Sequence, residues 1–271
     1  MFREQITDWN TRRLHRSRMR RLKRMQKAGT KIIENDWFAG KSVAIIGPSK
    51  SVKSELAEHS AEDFNIIVRM NKGLELALHD SNLWGPRTDV LFHNLKEEDA
   101  ERSSGRLDDE FLTRAGLRYL IFPHASPEKW RKNLEITAQR FPSDAQVTLC
   151  IPPLALYAET RKELGGLMPT TGYMAISTFM SLPLDRLGIF GISFFSTGYT
   201  PGYTTSQQAM TSPLEWARMS GFHNPEREAA LTAEKLSQHL ERAQSFPILL
   251  GASMRQRMVE EGLDFSTADS E

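Results

Sequence analysis

The chain has 271 residues, its 35 Lys and Arg residues nearly balance its 34 Asp and Glu residues, and 39% of its residues are hydrophobic. These ordinary globular values exclude a collagen-like chain, a fully disordered chain and a disulfide scaffold, and no apolar stretch reaches the 18 residues of a membrane-spanning helix. The single cysteine, Cys150, cannot form an intramolecular disulfide, which suits a reducing compartment and excludes a cysteine-based zinc site.

The balanced total charge hides a basic arm at the N-terminus. Residues 1–31 contain 11 Lys and Arg and two acidic residues, a net charge of +9, whereas the other 240 residues have a net charge of −8. Residues 9–34 lack proline and predict a helix with arginines on most faces. Basic arms of this kind bind polyanions, so nucleic acid and an anionic membrane surface are both candidate partners.

From residue 42 onward, short apolar runs alternate with helical stretches. The apolar runs predict six buried strands, at 42–46, 65–68, 88–92, 117–122, 146–151 and 185–191. The stretches between them predict helices at about 50–59, 127–140, 154–164 and 170–180, and a long polar helix follows residue 223. This alternation predicts a parallel sheet covered by helices on both faces.

Three segments do not fit regular structure. Residues 94–109 are charged and contain Gly and Ser, which predicts a surface excursion. Residues 192–222 are rich in Ser, Thr, Gly and Tyr and too long for an ordinary connection, which predicts a lid or a disordered loop. Residues 263–271 predict an acidic, frayed tail.

The first motif with chemical content is the sequence from Gly47 to Ser54, between a predicted strand and a predicted helix. A phosphate-binding P-loop needs a second glycine before its lysine, and Val52 stands there instead. A helix N-terminus after a parallel strand still favours an anion, so Gly47, Ser49 and Ser51 are candidate ligand-binding residues. The alternative is a plain strand-to-helix turn.

Two further motifs are expected to face the same crevice. Asn71 ends the second predicted strand, and ligands of parallel sheets gather at the carboxyl ends of strands. Thr170, Thr171 and Gly172 open a predicted helix, whose free N–H groups suit a phosphate. Taken singly, a turn-capping Asn and a simple helix cap explain these residues equally well.

The fourth motif is His223-x4-Glu228, just before the long polar helix. An imidazole is a natural general base near neutral pH, so His223 is a candidate catalytic residue. Glu228 is a second candidate catalytic residue. The alternative is that Glu228 only orients the loop or the start of the helix. A lone loop histidine is often merely solvated, so this motif gains its meaning from the others.

In this order, the four motifs resemble those of the sialyltransferases of glycosyltransferase family 29. Residues 43–71 resemble the family's long motif, which runs from a strand–Gly–x–Ser turn to Arg-Met-Asn. Residues 169–191 are similar to its short motif, which begins Pro-Ser/Thr-Thr-Gly, and His223 and Glu228 match its very short motif, His-x4-Glu. The resemblance covers about residues 42–235.

The resemblance implies a variant GT-A fold: a Rossmann-like single α/β domain at 36–262 with a mainly parallel sheet flanked by helices, plus a basic N-terminal helix at 1–35. It also implies a metal-independent, inverting glycosyltransferase that moves an acidic sugar, sialic acid or Kdo, from a CMP-activated donor to a glycan, lipid-linked or lipopolysaccharide acceptor. No cofactor is expected, and the CMP-sugar is the donor substrate. His223 would be the general base, with Glu228 beside it, and the donor would be bound by Gly47, Ser49, Ser51, Asn71, Thr170, Thr171 and Gly172.

The departures from the family also carry information. The cysteine pair of animal Golgi members is absent, and a bacterial-type cytoplasmic member, peripheral on the inner membrane through residues 1–31, would account for this. The family's His-Tyr-Tyr-type third motif has no clear copy, although Tyr199 and Tyr203 lie in the right interval. Pro48 and Lys50 stand where the family usually has Asn and Gly, which leaves an inactive glycan-binding homologue open.

A nucleic-acid-binding protein is the competing interpretation, because the N-terminal arm has a charge of +9. That interpretation leaves the Thr170–Gly172 and His223–Glu228 motifs unexplained, and the rest of the chain is net negative. We therefore expect no nucleic-acid partner.

Overall fold

The computed structural model describes residues 29–85, 87–97, 104–107, 109–124, 131–141, 146–242 and 245–265. Nearly all of the basic arm and most of the acidic tail lie outside these ranges. The helix predicted over residues 9–34 is wrong at its C-terminal end, because Lys31 and Ile32 form a strand that pairs with residues 150 and 151. The sheet therefore begins inside the segment predicted as the arm.

Within these ranges, eight strands form a single sheet in the order β1-β6-β5-β4-β3-β2-β7-β8, and every pair of neighbours is parallel. The strands are β1 (Lys31–Ile32), β2 (Ser42–Ile46), β3 (Ile66–Met70), β4 (Val90–Phe92), β5 (Tyr119–Ile121), β6 (Thr148–Ile151), β7 (Arg186–Phe190) and β8 (Ile248–Leu250). The six strands predicted from apolar runs are confirmed. The two edge strands, β1 and β8, escaped prediction because they are two and three residues long and only partly buried.

Helices follow or precede the strands along the chain. They are α1 (Val52–Glu58), α2 (Gly73–His79), α3 (Ser81–Trp84), α4 (Asp109–Ala115), α5 (Arg131–Arg140), α6 (Leu154–Glu163), α7 (Thr171–Met180), α8 (Gln207–Thr211), α9 (Pro213–Met219), α10 (Pro225–Leu240) and α11 (Ala252–Glu260). None of the described helices is long and apolar enough to cross a membrane.

Both faces of the sheet are covered, as the continuous apolar runs predict. Alternate residues of one strand enter different apolar clusters: Val43 and Ile45 of β2 pack in the largest cluster with α7 and α10, whereas Ala44 and Ile46 pack on the opposite face against α1. All five residues of β2 are buried. The α/β fold predicted from the sequence, with a parallel sheet between helical layers, is therefore confirmed.

The sheet changes winding direction at its centre. The chain runs outward from β2 through β3, β4, β5 and β6, and then returns to place β7 on the other side of β2. In open parallel sheets the loops on either side of such a switch point diverge and leave a crevice beyond the carboxyl ends of the strands. The fold thus forms a crevice where β2 and β7 end.

The surface excursion predicted at 94–109 is only partly right for its described residues: Arg106 and Asp109 are exposed, whereas other residues turn inward. Leu95, Ser104 and Leu107 are buried, and both leucines join the apolar cluster beneath β4 and β5. Glu97 forms an ion pair with Arg140 of α5 at 2.7 Å. The two leucines drive this segment inward, although its high charge suggested exposure.

The segment predicted at 192–222 as a lid or a disordered loop has a defined path. It contains α8 and α9, and its first part is fixed to the loop that follows β2. Thr200 N–H donates to the Pro48 carbonyl at 2.8 Å, and Lys50 N–H donates to the Gly198 carbonyl at 3.0 Å. These bonds turn the segment over the carboxyl end of the sheet.

Candidate active site

A cavity of about 500 Å³ lies in the crevice at the carboxyl ends of β2, β3, β4 and β7. Six of the nine residues predicted for the site line it: Ser49, Asn71, Thr170, Thr171, Gly172 and His223. The other three, Gly47, Ser51 and Glu228, are not among its lining residues. Motifs that lie about 150 residues apart in the sequence therefore meet in one cavity.

Asn71 owes its position to an unusual backbone conformation. Its φ of 48° is in the left-handed region, and its N–H donates to the Phe92 carbonyl at the end of the neighbouring strand. Its side-chain oxygen accepts from Asn94 N–H at 3.2 Å. The amide of Asn71 thereby lies across the ends of β3 and β4 and faces the cavity.

Left-handed backbone at non-glycine residues is concentrated around this cavity. The described residues with this conformation are Asn71, Leu95, Phe194 and Phe195. Three of them line the cavity, and Leu95 precedes the lining residue Lys96. Such conformations cost free energy and cluster at functional sites. The backbone therefore marks the same site as the sequence motifs.

The N-terminus of α7 supplies hydrogen-bond donors to the cavity. Thr170 caps the helix, and its hydroxyl accepts from Tyr173 N–H at 3.2 Å. Within the described part of the chain, the N–H groups of Thr171 and Gly172 have no acceptor, and both residues line the cavity. Free N–H groups and the helix dipole together favour an anion here.

Glu228 connects the fourth motif to the third. Its carboxyl group is fully buried and accepts from Thr170 N–H at 2.7 Å and from the Thr170 hydroxyl at 2.6 Å. Burial raises the pKa of Glu228 to about 8, and the hydrogen bonds from Thr170 oppose this rise. Glu228 thus fixes the start of α7 from behind, and the geometry makes it a positioning residue.

His223 faces the cavity from the loop before α10. Its Nδ1 lies 2.8 Å from the Met168 carbonyl, which can only accept, so Nδ1 carries the proton of the neutral ring and Nε2 keeps a lone pair. Burial lowers the pKa of His223, the bond to Met168 opposes this, and the positive charge of Lys96 lowers the pKa further. The ring is therefore neutral near pH 7, as a general base must be.

The loop after β2 differs from its predicted role. The N–H groups of Gly47 and Ser49 donate to the carbonyls of Phe190 and Gly191, so they are unavailable to an anion. Ser51 turns away from the cavity, and its hydroxyl donates to Ser253 at 2.9 Å. Of the three residues predicted here, Ser49 alone reaches the cavity.

Gly47 is required for packing. A Cβ atom at this position would lie 2.3 Å from the Gly191 carbonyl oxygen, far inside contact distance. The loops that follow β2 and β7 therefore cross in direct contact, with the backbone of Gly47 against the backbone of Gly191. This contact brings residues 192–195 to the cavity wall.

An aromatic wall was missed by the motif analysis. Tyr199 packs on Tyr203 at 4.8 Å between ring centroids, and Phe195 and Trp216 contact the edge of Tyr199. All four residues line the cavity. The available signal in the sequence was the aromatic content of residues 192–222. It drew attention to Tyr199 and Tyr203, but it did not indicate which residues they contact.

Three further lining residues come from the ends of β4 and β5. Asn94 and Lys96 follow β4, and His124 follows β5. Burial lowers the pKa of His124 to about 3, with smaller contributions from the charges around it, so this imidazole is neutral. The position of Asn94 and His124 just after predicted strands was the available signal; Lys96 had none.

In the described part of the chain, no group of three or more His, Cys, Asp or Glu residues is arranged to hold a metal ion. The described residues that line the cavity include no carboxylate. Hydrogen-bond donors and one cationic side chain, Lys96, therefore face the cavity, and this lining favours an anionic ligand.

A scan against protein-family models and a search of curated proteins gave no match. Among solved structures, the chain is similar to a mammalian sialyltransferase in complex with Gal-beta-1-3GalNAc-ortho-nitrophenol, with 18% identity and a TM-score of 0.44. The match covers 73% of this chain and 66% of that chain, so the chain spans just under two thirds of the length of that protein.

Two bacterial structures are similar to a comparable degree. The sialyltransferase CstII from Campylobacter jejuni, in complex with the substrate analogue cytidine-5'-monophosphate, has 13% identity and a TM-score of 0.49 over 78% of this chain and 80% of that chain. An alpha-2,3-sialyltransferase from Campylobacter jejuni in apo form has 13% identity and a TM-score of 0.44 over 80% and 79%. All these scores are below 0.5, so we base the function on the residues of this chain.

Proposed function

We propose that the protein is a glycosyltransferase that transfers an acidic sugar from a CMP-activated donor. One observation carries this proposal: the free N–H groups that open α7 and the Nε2 lone pair of His223 face the same cavity. Glu228 ties the two elements together across 58 residues of sequence. An anion site beside a neutral imidazole is the pair of groups that transfer from a sugar phosphate requires.

The two groups have separate roles in the reaction. His223 Nε2 removes the proton from an acceptor hydroxyl as that oxygen forms a bond to the anomeric carbon. The bond from this carbon to the phosphate oxygen breaks on the opposite face, so configuration inverts and CMP leaves with the bonding electron pair. The N–H groups of Thr171 and Gly172 stabilise the charge that develops on the phosphate.

The finer assignments belong to the same proposal. The donor sugar is sialic acid or Kdo, the acceptor is a cell-surface glycan or a lipid-linked glycan such as lipopolysaccharide, and no metal ion takes part. Residues 1–31, with a net charge of +9, hold the protein peripherally on an anionic membrane. Asn71 and Ser49 contact the nucleotide or the sugar, since both present hydrogen-bonding groups to the cavity.

The assay is the release of CMP from CMP-sialic acid and from CMP-Kdo, with and without EDTA. We expect release from one of the two donors, unchanged by the chelator. A protein that releases CMP from neither donor and binds neither CMP nor a CMP-sugar contradicts the proposal. Loss of release with EDTA contradicts the metal-independent mechanism alone.

Replacement of His223 by Ala tests the base. We expect turnover to fall by roughly 10²-fold or more, because the proton transfer is lost, while the affinity for CMP stays near that of the wild type. The matched control is His79→Ala, an exposed histidine at the end of α2. Turnover that survives His223→Ala removes this residue from the catalytic role.

A further inference from the structure

The charge of the cavity lining is concentrated in one residue. Among the described residues that line the cavity, Lys96 is the only Lys, Arg, Asp or Glu. The other polar lining groups are amides, hydroxyls and neutral imidazoles. A donor with an acidic sugar carries two anionic groups, the phosphate and the carboxylate, whereas the start of α7 provides one anion site.

Lys96 lies on a segment that is held firmly in place. His93 accepts from Leu95 N–H through Nδ1 and donates to the Gly105 carbonyl through Nε2, so one buried ring ties together both sides of the segment. The Lys96 carbonyl accepts from Ser104 N–H at 2.7 Å. Leu95, with a φ of 58°, is buried in the apolar cluster below. These contacts direct the backbone that carries the lysine to the cavity.

The lysine lines the same cavity as the proposed base. The positive charge of Lys96 contributes to the lowered pKa of His223 and of His124, two residues from different elements that line the same cavity. In the reaction proposed above, the base acts beside the anomeric carbon. In sialic acid and Kdo, which are 2-keto acids, the carboxylate is attached to that same carbon.

We propose that Lys96 is a specificity-determining residue that binds the carboxylate of the donor sugar beside the reacting carbon, while the N-terminus of α7 binds the phosphate. This inference rests on the proposed function and deepens it. The charge of the lysine then selects acidic sugars over neutral ones. The same charge adds to the effect of burial, which is the main cause of the lowered pKa of His223.

The test compares donor binding by the wild type and the variants Lys96→Met, Lys96→Arg and Lys162→Met, the last an exposed lysine of α6 as control. Calorimetry without acceptor measures the Kd of three probes: CMP, the 3-fluoro analogue of CMP-sialic acid or CMP-Kdo, which resists hydrolysis, and the same analogue with its carboxylate replaced by a carboxamide. Thermal melting checks that each variant is folded.

We expect Lys96→Met to weaken binding of the acidic analogue by about 10-fold to 100-fold, the worth of a hydrogen bond to a charged group, and to leave CMP and the carboxamide nearly unchanged. Lys96→Arg should keep most of the affinity. The acid limb of the pH profile of kcat/KM should move to higher pH in Lys96→Met, because the charge that lowers the pKa of His223 is gone.

The outcomes separate this inference from the proposed function. If folded Lys96→Met still discriminates between the acidic analogue and the carboxamide as strongly as the wild type does, the inference is wrong and the proposed function stands. A loss that appears only in the KM of an acidic acceptor also overturns the inference, because the anion then belongs to the acceptor. A wild type that binds none of the probes overturns both.

Discussion

At the scale of single residues, His223 and Glu228 differ in what surrounds them. His223 faces the cavity and keeps one ring nitrogen for a ligand, since the Met168 carbonyl occupies the other. Glu228 is fully buried, and both of its carboxyl oxygens accept hydrogen bonds from Thr170. In the proposed reaction the first residue exchanges a proton with the substrate, whereas the second sets where the helix begins. Their spacing in the sequence does not distinguish these tasks; burial does.

The buried Glu228 makes stability depend on pH in a defined direction. Its pKa is about 8 in the folded protein against an ordinary value of 4.5, so the unfolded chain loses this proton first. The contribution of Glu228 to the free energy of unfolding is fully present below pH 4.5. It falls by about 1.4 kcal/mol for each pH unit as the pH rises toward 8. Glu228→Gln removes the titrating group, so its unfolding free energy should vary less between pH 6.5 and pH 8.

Urea unfolding of both proteins across this interval measures the difference. His93 and His124 have the opposite pH dependence, because burial lowers their pKa values to about 4 and about 3. Below pH 6.5 the unfolded chain binds their protons first, so the free energy of unfolding falls as the pH falls. Because these histidines are present in both proteins, the difference between the two curves above pH 6.5 reports Glu228. Parallel curves for the wild type and Glu228→Gln would show that the carboxyl is ionised in the folded protein.

At the scale of elements, the loops after β2 and β7 depend on their contact at glycine. Gly47→Ala would bring a Cβ atom to 2.3 Å from the Gly191 carbonyl and 2.5 Å from an Ile192 side-chain carbon. The Gly47 N–H already donates to the Phe190 carbonyl at 2.7 Å, so the loop cannot withdraw freely. We expect a loss of roughly 1–3 kcal/mol in urea unfolding, together with weaker CMP binding.

Gly73→Ala is the matched substitution for this experiment. Gly73 begins α2, and a Cβ atom there would meet its nearest neighbour, Arg69, at an ordinary 3.5 Å. Because alanine is the better helix residue, stability should stay level or rise. If Gly47→Ala and Gly73→Ala have the same free energy of unfolding, the contact between the two loops does not stabilise the fold.

The same elements show what the sequence could predict. Central strands such as β2 have a short, continuous, β-branched apolar run ended by turn residues, which favours a buried strand. Asn71 and Thr170 stand directly at the ends of regular elements. Lys96 lies four residues beyond β4, where the path of the chain is set by Leu95 and Leu107 entering a cluster that forms only in the folded sheet. Contacts of this kind have no local pattern, so the position of Lys96 could not be predicted.

At the scale of the whole molecule, the basic arm and the cavity are separable. β1 begins at Lys31 and runs parallel to β6, so the chain enters the sheet at the amino ends of the strands, opposite to the carboxyl ends where the cavity lies. Ten of the 11 basic residues of the arm precede residue 29. Deletion of residues 1–28 should therefore leave CMP binding and CMP release intact.

The same deletion should abolish binding to anionic vesicles, because each basic residue near such a surface contributes on the order of 1 kcal/mol. Co-sedimentation of the full chain with anionic and neutral vesicles, at low salt and at increasing salt, provides the comparison. Binding should weaken with salt, since charges are screened beyond about 8 Å at physiological ionic strength. Equal pelleting of the full and shortened chains would assign membrane binding to another surface.

The switch point at the centre of the sheet also has a consequence during synthesis on the ribosome. β2 is complete early, yet one of its two edges pairs with β7, where Ser42 is opposite Arg186. At about 5–20 residues per second, the partner strand emerges roughly 7–30 seconds later. For that time an apolar strand exposes an open edge, which is the template that aggregation uses. We therefore expect cellular yield to depend on chaperones that shield the nascent chain, however stable the finished protein is.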